Sequence, residues 1–436
     1  MIEAFLFIVP FLYYIQVLLM RNDFVPIPYL VLFFVILITH YSYPKTWNSS
    51  GKKEVILLDE LIAFFIFMNF TWVIYELVIN GYMEGGRVLI YNTIPLFLYF
   101  YIRRYSKEED VNQILLILAL TSIVVAGDIL YERYVNVILL KSVPFQVKNF
   151  NYVATIGSQT EQTQLMAYWY RAPGILEHVH ATGTYIGLGV VSFIHFYLLK
   201  KNKIWLIFLI VNCMALIVSG ARTALGATLI SVVLFIYLQK KYLKNKIIRM
   251  NRLLINIFVG FSSAIFLASL LYADVLSTIF KSFFGSEAGI NVFSFINYII
   301  PMQLNEWYEG IKEMPIGVFF GYGPGILKNQ LKIASDDFFI IDLVARYGLI
   351  GFFIFYFIYF VFIKEVLFSL KKTSLSFKEI DKCKLILSLS VATLLLITTM
   401  HSGALVKKSI FPWLFVAYGI GRRYLFGIHR PTIKKG

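Results

Sequence analysis

The sequence predicts an all-α, polytopic integral membrane protein with about twelve transmembrane helices. Of its 436 residues, 59% are hydrophobic and only 15% are charged, whereas soluble domains carry about 25% charged residues. Apolar runs long enough to cross a bilayer, about 18 residues or more, recur along the whole chain. The net charge is +15, but the basic residues are concentrated between the apolar runs, which indicates membrane topology rather than nucleic-acid binding.

The chain is expected to form one transmembrane domain over residues 1–436. Its N-terminal apolar run lacks a basic start and a small-residue cleavage site, so we interpret it as a retained first span. The apolar run Ile204–Leu238 must contain a turn near Ser219 and Gly220, because a single helix of this length would measure about 52 Å. In chain order, the predicted spans are residues 3–20, 25–41, 59–79, 87–102, 112–131, 181–199, 204–219, 222–239, 253–273, 338–363, 384–400 and 409–421.

The basic residues follow an alternating pattern that predicts the orientation of the spans. Every second connection belongs to a set that holds 26 of the 40 basic residues, and cytoplasmic loops are the ones enriched in Lys and Arg. Both termini are then cytoplasmic. Two long connections lie on the outer side: outer loop 1, residues 132–180, and a large loop, residues 274–337, in which we expect a helix near 303–313 and a Gly-rich turn at 321–325. The basic-rich set comprises Lys45, Lys52, Lys53, Arg103, Arg104, Lys107, Lys200, Lys201, Lys203, Lys240, Lys241, Lys244, Lys246, Arg249, Arg252, Lys364, Lys371, Lys372, Lys378, Lys382, Lys384, Arg422, Arg423, Arg430, Lys434 and Lys435.

Arg222 is the only charged residue in the run Ile204–Leu238, and the predicted topology places it at the outer mouth of its span. One interpretation is an arginine that extends from the helix end to the outer headgroups. The other is a guanidinium that binds phosphate through its planar fork of donors. Small neighbours such as Ser219, Gly220 and Ala221 would allow a ligand or a helix to approach closely.

The segment just before the span at 181–199 carries Arg171, Glu177, His178 and His180. It is either a solvated polar loop or an acid/base site. A zinc site is the weaker alternative, because the spacing matches no HExxH-type pattern. No metal is therefore expected.

Two further outer positions carry ionisable groups. Asp337, with its neighbour Asp336, precedes the span at 338–363 and would either cap that helix, act as a base or bind a divalent ion. His401 follows the span ending at Met400. Inside the spans, Glu76 and Asp128 lie in outer halves and are expected to face the bundle interior.

Three of these stretches together resemble the O-antigen polymerase and ligase superfamily. They are RAPGILEHVHATG at 171–183, VSGARTALGA at 218–227, and GYGPG at 321–325 followed by DDFFIIDLVARYGLIG at 336–351. The resemblance implies a GT-C-like glycosyltransferase of the bacterial inner membrane with its large periplasmic loop before the tenth span. It further implies an undecaprenyl-diphosphate-linked oligosaccharide as substrate, membrane lipid and a chain-length regulator as partners, and neither a metal, a cofactor nor nucleic acid.

The resemblance also implies roles for individual residues. Arg222 falls on the family arginine that engages the diphosphate, and Arg171 with Gly174 matches the R-x-x-G loop of polymerases. The large loop has no arginine; Gln303 stands near the position where ligases have one, and Asp337 and Phe338 replace their His-Asn pair. These departures favour a polymerase over a ligase. The other alternative, a flippase or transporter, is disfavoured because the charges lie at one face and two outer segments are long.

The reaction assigns the remaining roles. The acceptor hydroxyl needs a base as it attacks. Glu177 is the first candidate and Asp337 the second, with His178, His180 and His401 in reserve. Arg222 and Arg171 are expected to stabilise the leaving diphosphate.

The orientation can be tested with single cysteines in a background lacking Cys213 and Cys383. A cysteine at Gln330, in the large loop, should react with a membrane-impermeant maleimide in intact cells. A cysteine at Ser374, in a basic connection, should react only after permeabilisation. Protection at position 330 together with labelling at 374 would invert the predicted topology.

Overall fold

The computed structural model describes residues 2–12, 15, 26–42, 57–135, 174–176, 179–200, 202–243, 301, 304, 305, 308, 309, 312, 315, 317–323, 339–372, 379–399 and 410–427. Within these ranges all regular secondary structure is helical and no strand occurs, which confirms the predicted all-α class. The predicted span at 253–273 lies outside the described residues. Five helices are long and apolar enough to cross a membrane, as a membrane protein requires: Leu57–Ile79, Glu108–Tyr131, His180–Lys200, Thr223–Tyr242 and Leu343–Lys371.

The helices match most of the predicted spans within a few residues. We label them α1 (Ile2–Ile8), α2 (Pro26–Ser42), α3 (Leu57–Ile74, continued by a π-helical turn Tyr75–Ile79), α4 (Met83–Thr93), α5 (Leu96–Tyr105), α6 (Glu108–Val135), α7 (Val179–Lys200), α8 (Lys203–Val218), α9 (Arg222–Tyr242), α10 (Gly317–Phe320), α11 (Phe339–Lys372), α12 (Glu379–Thr399) and α13 (Phe411–Gly427).

Several predicted spans are not single regular α-helices. The described part of span 3–20 contains the 3-10 turn Val9–Phe11, and span 59–79 ends in the π-helical turn Tyr75–Ile79. The predicted span 87–102 is covered by two helices, because α4 and α5 meet at a break over Ile94 and Pro95. Proline has no backbone N–H and so interrupts the hydrogen-bond ladder of a helix. Helix α11 runs beyond the predicted 338–363, and its backbone leaves helical geometry at Gly348.

The long apolar run after Asn202 folds as predicted from its length. The Asn202 side chain accepts a hydrogen bond from the backbone N–H of Ile204 (3.0 Å) and so caps α8. Helix α8 ends at Val218, and Gly220 adopts φ +71°, a left-handed conformation that glycine tolerates best. The turn expected near Ser219 and Gly220 is therefore confirmed, and α9 begins at Arg222.

Ion pairs collect at one end of the bundle, which we call the ion-pair end. On α3, Asp59 pairs with Arg103 of α5 and accepts a hydrogen bond from the Tyr99 hydroxyl (2.5 Å). Two further pairs lie there: Arg422 of α13 with Glu365 of α11 (2.6 Å), and Lys384 of α12 with Glu108 of α6 (3.1 Å). Helices α3, α6 and α12 begin near these charges, whereas α5, α11 and α13 end near them, so the helix directions alternate.

Helix α7 lies at the centre of the described bundle. Of its apolar stretch, 89% is buried, compared with 28% to 56% for the other four long helices. It packs against α6, α8, α9 and α12. The outer helices expose large apolar side chains instead, among them Phe67, Val233 and Phe353, as lipid-facing surfaces do.

Small residues allow α7 to approach its neighbours closely. A Cβ atom at Gly183 would overlap the Cβ of Ala221 and lie 3.0 Å from that of Ala224. One turn further, a Cβ at Gly187 would overlap Thr228 of α9. Glycines spaced by four on one helix face are a common means of close packing in membranes.

Replacing Gly183 by alanine should therefore destabilise the protein. Overpacking costs about 1–3 kcal/mol, more than the gain of up to about 1 kcal/mol in helix propensity. Thermal unfolding in detergent should show a lower Tm for Gly183→Ala, and Ala221→Gly in the same chain should restore part of the loss. Gly226→Ala, where a Cβ would meet open space, is the matched control. A Gly183→Ala protein as stable as this control would contradict the packing.

Candidate active site at the end opposite the ion pairs

A short turn anchors outer loop 1 to the bundle. Residues Gly174–Leu176 form a 3-10 turn, and the backbone N–H of Ile175 donates to Oδ2 of Asp128 on α6 (2.8 Å). Leu176 is buried, and the turn contacts α6, α7 and the 3-10 turn Val9–Phe11. The R-x-x-G stretch thus ends in a fixed turn rather than in a free loop.

The same end of the bundle joins two of the singled-out stretches. His180 is partly buried in the first turn of α7. Three residues later, Gly183 packs against Ala221 and Ala224, and Ser219 Oγ lies 3.6 Å from the position of a Cβ at Gly183. The start of α7 and the start of α9, at Arg222, therefore lie side by side.

Small, buried residues flank Arg222 at the start of α9, namely Ser219, Ala221 and Ala224. Ala221 precedes the helix and supplies no side-chain cap, while its own N–H donates to Ser219 Oγ (3.3 Å). The first helical hydrogen bond runs from Leu225 N–H to the carbonyl of Ala221 (3.0 Å). The amides of the first turn of α9 precede that bond and carry the positive end of the helix dipole.

The third stretch folds onto itself around glycines. Gly321 and Gly323 adopt φ +84° and +73°, and the N–H of Tyr322 donates to the carbonyl of Ala345 in α11 (2.7 Å). A Cβ at Gly321 would overlap the backbone carbonyl of Arg346, and one at Gly348 would overlap that of Phe319. The GYG turn and the break in α11 therefore depend on each other. The order of the two motifs in the sequence did not reveal this contact.

Burial and hydrogen bonding fix this unit against α3 and α4. The Tyr347 hydroxyl donates to Asn69 Oδ1 (3.1 Å) and accepts from Asn92 Nδ2 (3.4 Å). Burial raises the pKa of the Tyr322 phenol, which therefore stays uncharged at neutral pH. Beside the turn, a Cβ at Gly323 would overlap Oε1 of Glu76.

Glu76 is buried in the π-helical turn at the end of α3, a geometry that is frequent at functional sites. The backbone carbonyl of Glu76 also accepts from Tyr82 N–H (2.7 Å). Glu76 and Asp128 thus confirm the expectation that both carboxylates face the bundle interior. Their contacts could not be predicted, because an isolated acid in an apolar run does not show which residues it will meet.

The structure places only part of the predicted site. His180 is described in full, and Arg222 through its backbone alone. Five predicted residues lie outside the described residues: Arg171, Glu177, His178, Asp337 and His401.

Two predicted features of the large loop can be compared with the structure. In the interval expected to be helical, the described residues Leu304, Asn305, Tyr308, Glu309 and Lys312 are helical. The Gly-rich turn is confirmed over its first three residues, whereas Gln303, Pro324 and Gly325 lie outside the described part.

A metal site can be assessed only where side chains are described. In that part of the chain, no three His, Cys, Asp or Glu side chains come close enough to hold a metal ion. The alternative of zinc at Glu177, His178 and His180 involves residues beyond it. In comparisons with known proteins, no family model matches the chain and no curated protein is significantly similar to it.

The break in α11 gives a sharp test of the GYG unit. Gly348→Ala should lower the Tm in detergent, because a left-handed conformation costs a non-glycine residue about 1–2 kcal/mol and the new Cβ overlaps a backbone carbonyl. Gly127→Ala on α6, where a Cβ would meet open space, should leave stability unchanged or raise it by up to about 1 kcal/mol. Equal Tm values for the two variants would contradict the described backbone.

Proposed function

We propose that this protein is a polymerase of the O-antigen polymerase and ligase superfamily. It would join polyprenyl-diphosphate-linked oligosaccharide repeat units into an O-antigen or capsule-type polysaccharide. The proposed setting is the bacterial inner membrane, with about twelve spans, both termini in the cytoplasm and the site on the outer side. The ion-pair end of the bundle is then the cytoplasmic end.

One observation supports this function above the others, namely the contact between the start of α7 and the start of α9. The contact of Gly183 with Ala221 and Ala224 joins two stretches that are separated in sequence and that carry the family resemblance. It lies at the end opposite the ion pairs, where the charge pattern predicts the outer face. A donor diphosphate bound there would meet the first turn of α9 and Arg222.

The chemistry suits a site of this kind. The acceptor hydroxyl oxygen forms a bond to the anomeric carbon of the donor sugar, and the bond from that carbon to the diphosphate oxygen breaks. The electron pair leaves with the polyprenyl diphosphate, whose negative charge fixed cations stabilise. Arg222, together with Arg171, would supply those cations, and the amides of a helix N-terminus are suited to the same anion.

The hydroxyl proton passes to a base as the new bond forms. Glu177 is the first candidate and Asp337 the second; His178, His180 and His401 complete the set. The polyprenyl chain would lie along the lipid-facing sides of the helices, where large apolar side chains are exposed. The reaction on this proposal requires no metal.

The alternatives differ in the arrangement of charge. A transporter is expected to carry charges near the bilayer midplane, with broken helices around them. Here the three ion pairs that join helices of the described bundle lie at one end, and Asp128 and Glu76 lie towards the other. A ligase of this superfamily is disfavoured by the sequence departures at Gln303, Asp337 and Phe338.

The role of Arg222 can be tested by the glycan ladder of cells that carry substituted protein. Arg222→Ala should abolish long chains and leave single repeat units, because losing one transition-state charge contact costs about 10²–10³ in rate. Arg222→Lys should restore only part of the ladder, since lysine lacks the bidentate fork. Arg104→Ala, an exposed arginine at the ion-pair end, is the control and should keep the full ladder at equal expression.

The null strain separates the three candidate functions on one gel. A missing polymerase leaves single repeats on the final acceptor, and a missing ligase leaves long polymer on the lipid carrier. A missing flippase leaves no repeats on the outer side. A normal ladder with Arg222→Ala would exclude the proposed role of Arg222.

A further inference from the structure

Asp128 is a buried carboxylate whose two oxygens have different surroundings. It lies on α6 with 8% of its surface exposed. Its Oδ2 accepts the Ile175 N–H at 2.8 Å, whereas its buried Oδ1 has no hydrogen-bond partner among the described residues. Burying a carboxylate without full hydrogen bonding is costly, so packing alone does not account for an acid at this position.

The hydrogen bond accepted by Oδ2 connects α6 to the turn that precedes α7. Ile175 belongs to the turn that ends the R-x-x-G stretch and directly precedes the segment leading into α7. No other described side chain hydrogen-bonds to a backbone amide of that turn. A hydrogen bond to an ionised acceptor is roughly twice as strong as a neutral one, so a carboxylate holds this amide more firmly than an asparagine would.

The turn Gly174–Leu176 also precedes the part of α7 that packs against α9. On the C-terminal side of the turn, the chain continues to His180 and then to Gly183, which packs against Ala221. On its N-terminal side, Arg171 stands three residues before Gly174 in the sequence. A displaced turn would therefore disturb the start of α7 and its packing against the first turn of α9, even though no residue of either helix would itself be altered.

We propose that Asp128 is a positioning residue that latches the turn Gly174–Leu176 to α6 and so fixes the chain just before α7, whose Gly183 packs against the start of α9. The significance for catalysis rests on the proposed polymerase function, whereas the latch itself does not. Because Oδ1 is buried, Asp128 acts through the Ile175 amide and not by direct contact with substrate. Its contribution should therefore follow the strength of one hydrogen bond.

The acceptor strength at position 128 can be graded by substitution. Asp128→Asn keeps an acceptor oxygen for the Ile175 N–H but loses the charge, and Asp128→Leu has similar size and no acceptor. The control is Asp110 of the same helix, whose Oδ2 accepts the Lys107 N–H at 2.5 Å at the ion-pair end. Asp110→Leu removes a carboxylate-to-amide bond of the same kind, far from the turn.

The first measurement follows the turn directly and requires no catalysis. Ile175→Cys is placed in a chain whose two native cysteines, both buried, are replaced by alanine. Labelling by a membrane-impermeant maleimide should be about tenfold faster with Asp128→Leu, which removes the charge-assisted hydrogen bond. It should be about threefold faster with Asp128→Asn, which only weakens that bond. Asp110→Leu should label at the parental rate.

The second measurement is the glycan ladder in the same cells. Asp128→Leu should shorten it severely, Asp128→Asn should retain most of it, and donor binding should change less than turnover. If labelling follows this order but no variant, including Arg222→Ala, affects the ladder, the latch stands and the polymerase function fails. Parental labelling with Asp128→Leu would overturn the latch. An Asp128→Asn protein that labels as fast as Asp128→Leu would also overturn it, since an acceptor oxygen at position 128 would then make no difference.

Discussion

The close approach of α7 to its neighbours is the constraint on which the rest of the bundle depends. Gly183 and Gly187 admit α9, and a Cβ at Gly189 would overlap Ser122 of α6. Helices that pack this tightly cannot slide without steric overlap, because each contact fixes both depth and rotation. The position of α9 relative to α7 is therefore set by the absence of side chains at these glycines as much as by attractive contacts.

The two ends of the bundle use different physical means. At the ion-pair end, charged side chains from six helices are joined by direct pairs, several of them largely buried. Such pairs contribute little net stability compared with an apolar core, but breaking one is costly because the other charge stays buried. The described residues at the opposite end are joined by glycine turns and backbone hydrogen bonds instead.

Much of the helical framework could be predicted from the sequence, whereas the contacts at the candidate site could not. Run length alone located the turn before Arg222, and the alternation of basic loops gave helix directions that agree with the ion pairs. Pro95 was overlooked because apolar composition continues through it. Asp128 was recognised as an inward-facing acid, but its partner Ile175 is 47 residues away across a loop without periodicity. Periodicity shows which face of a helix is buried, not which residue meets it.

The pairing of Lys384 with Glu108 has a consequence for how the protein is made. The partners are 276 residues apart, so Glu108 is inserted long before its cation has been synthesised. The Arg422–Glu365 pair likewise forms only after α13 has been synthesised. The side chain of Leu394 on α12 lies 3.4 Å from the position of a Cβ at Gly187, so α7 is also covered late in synthesis. The described bundle is thus completed only when its C-terminal helices have been made, because α12 and α13 supply the cations of two of its ion pairs.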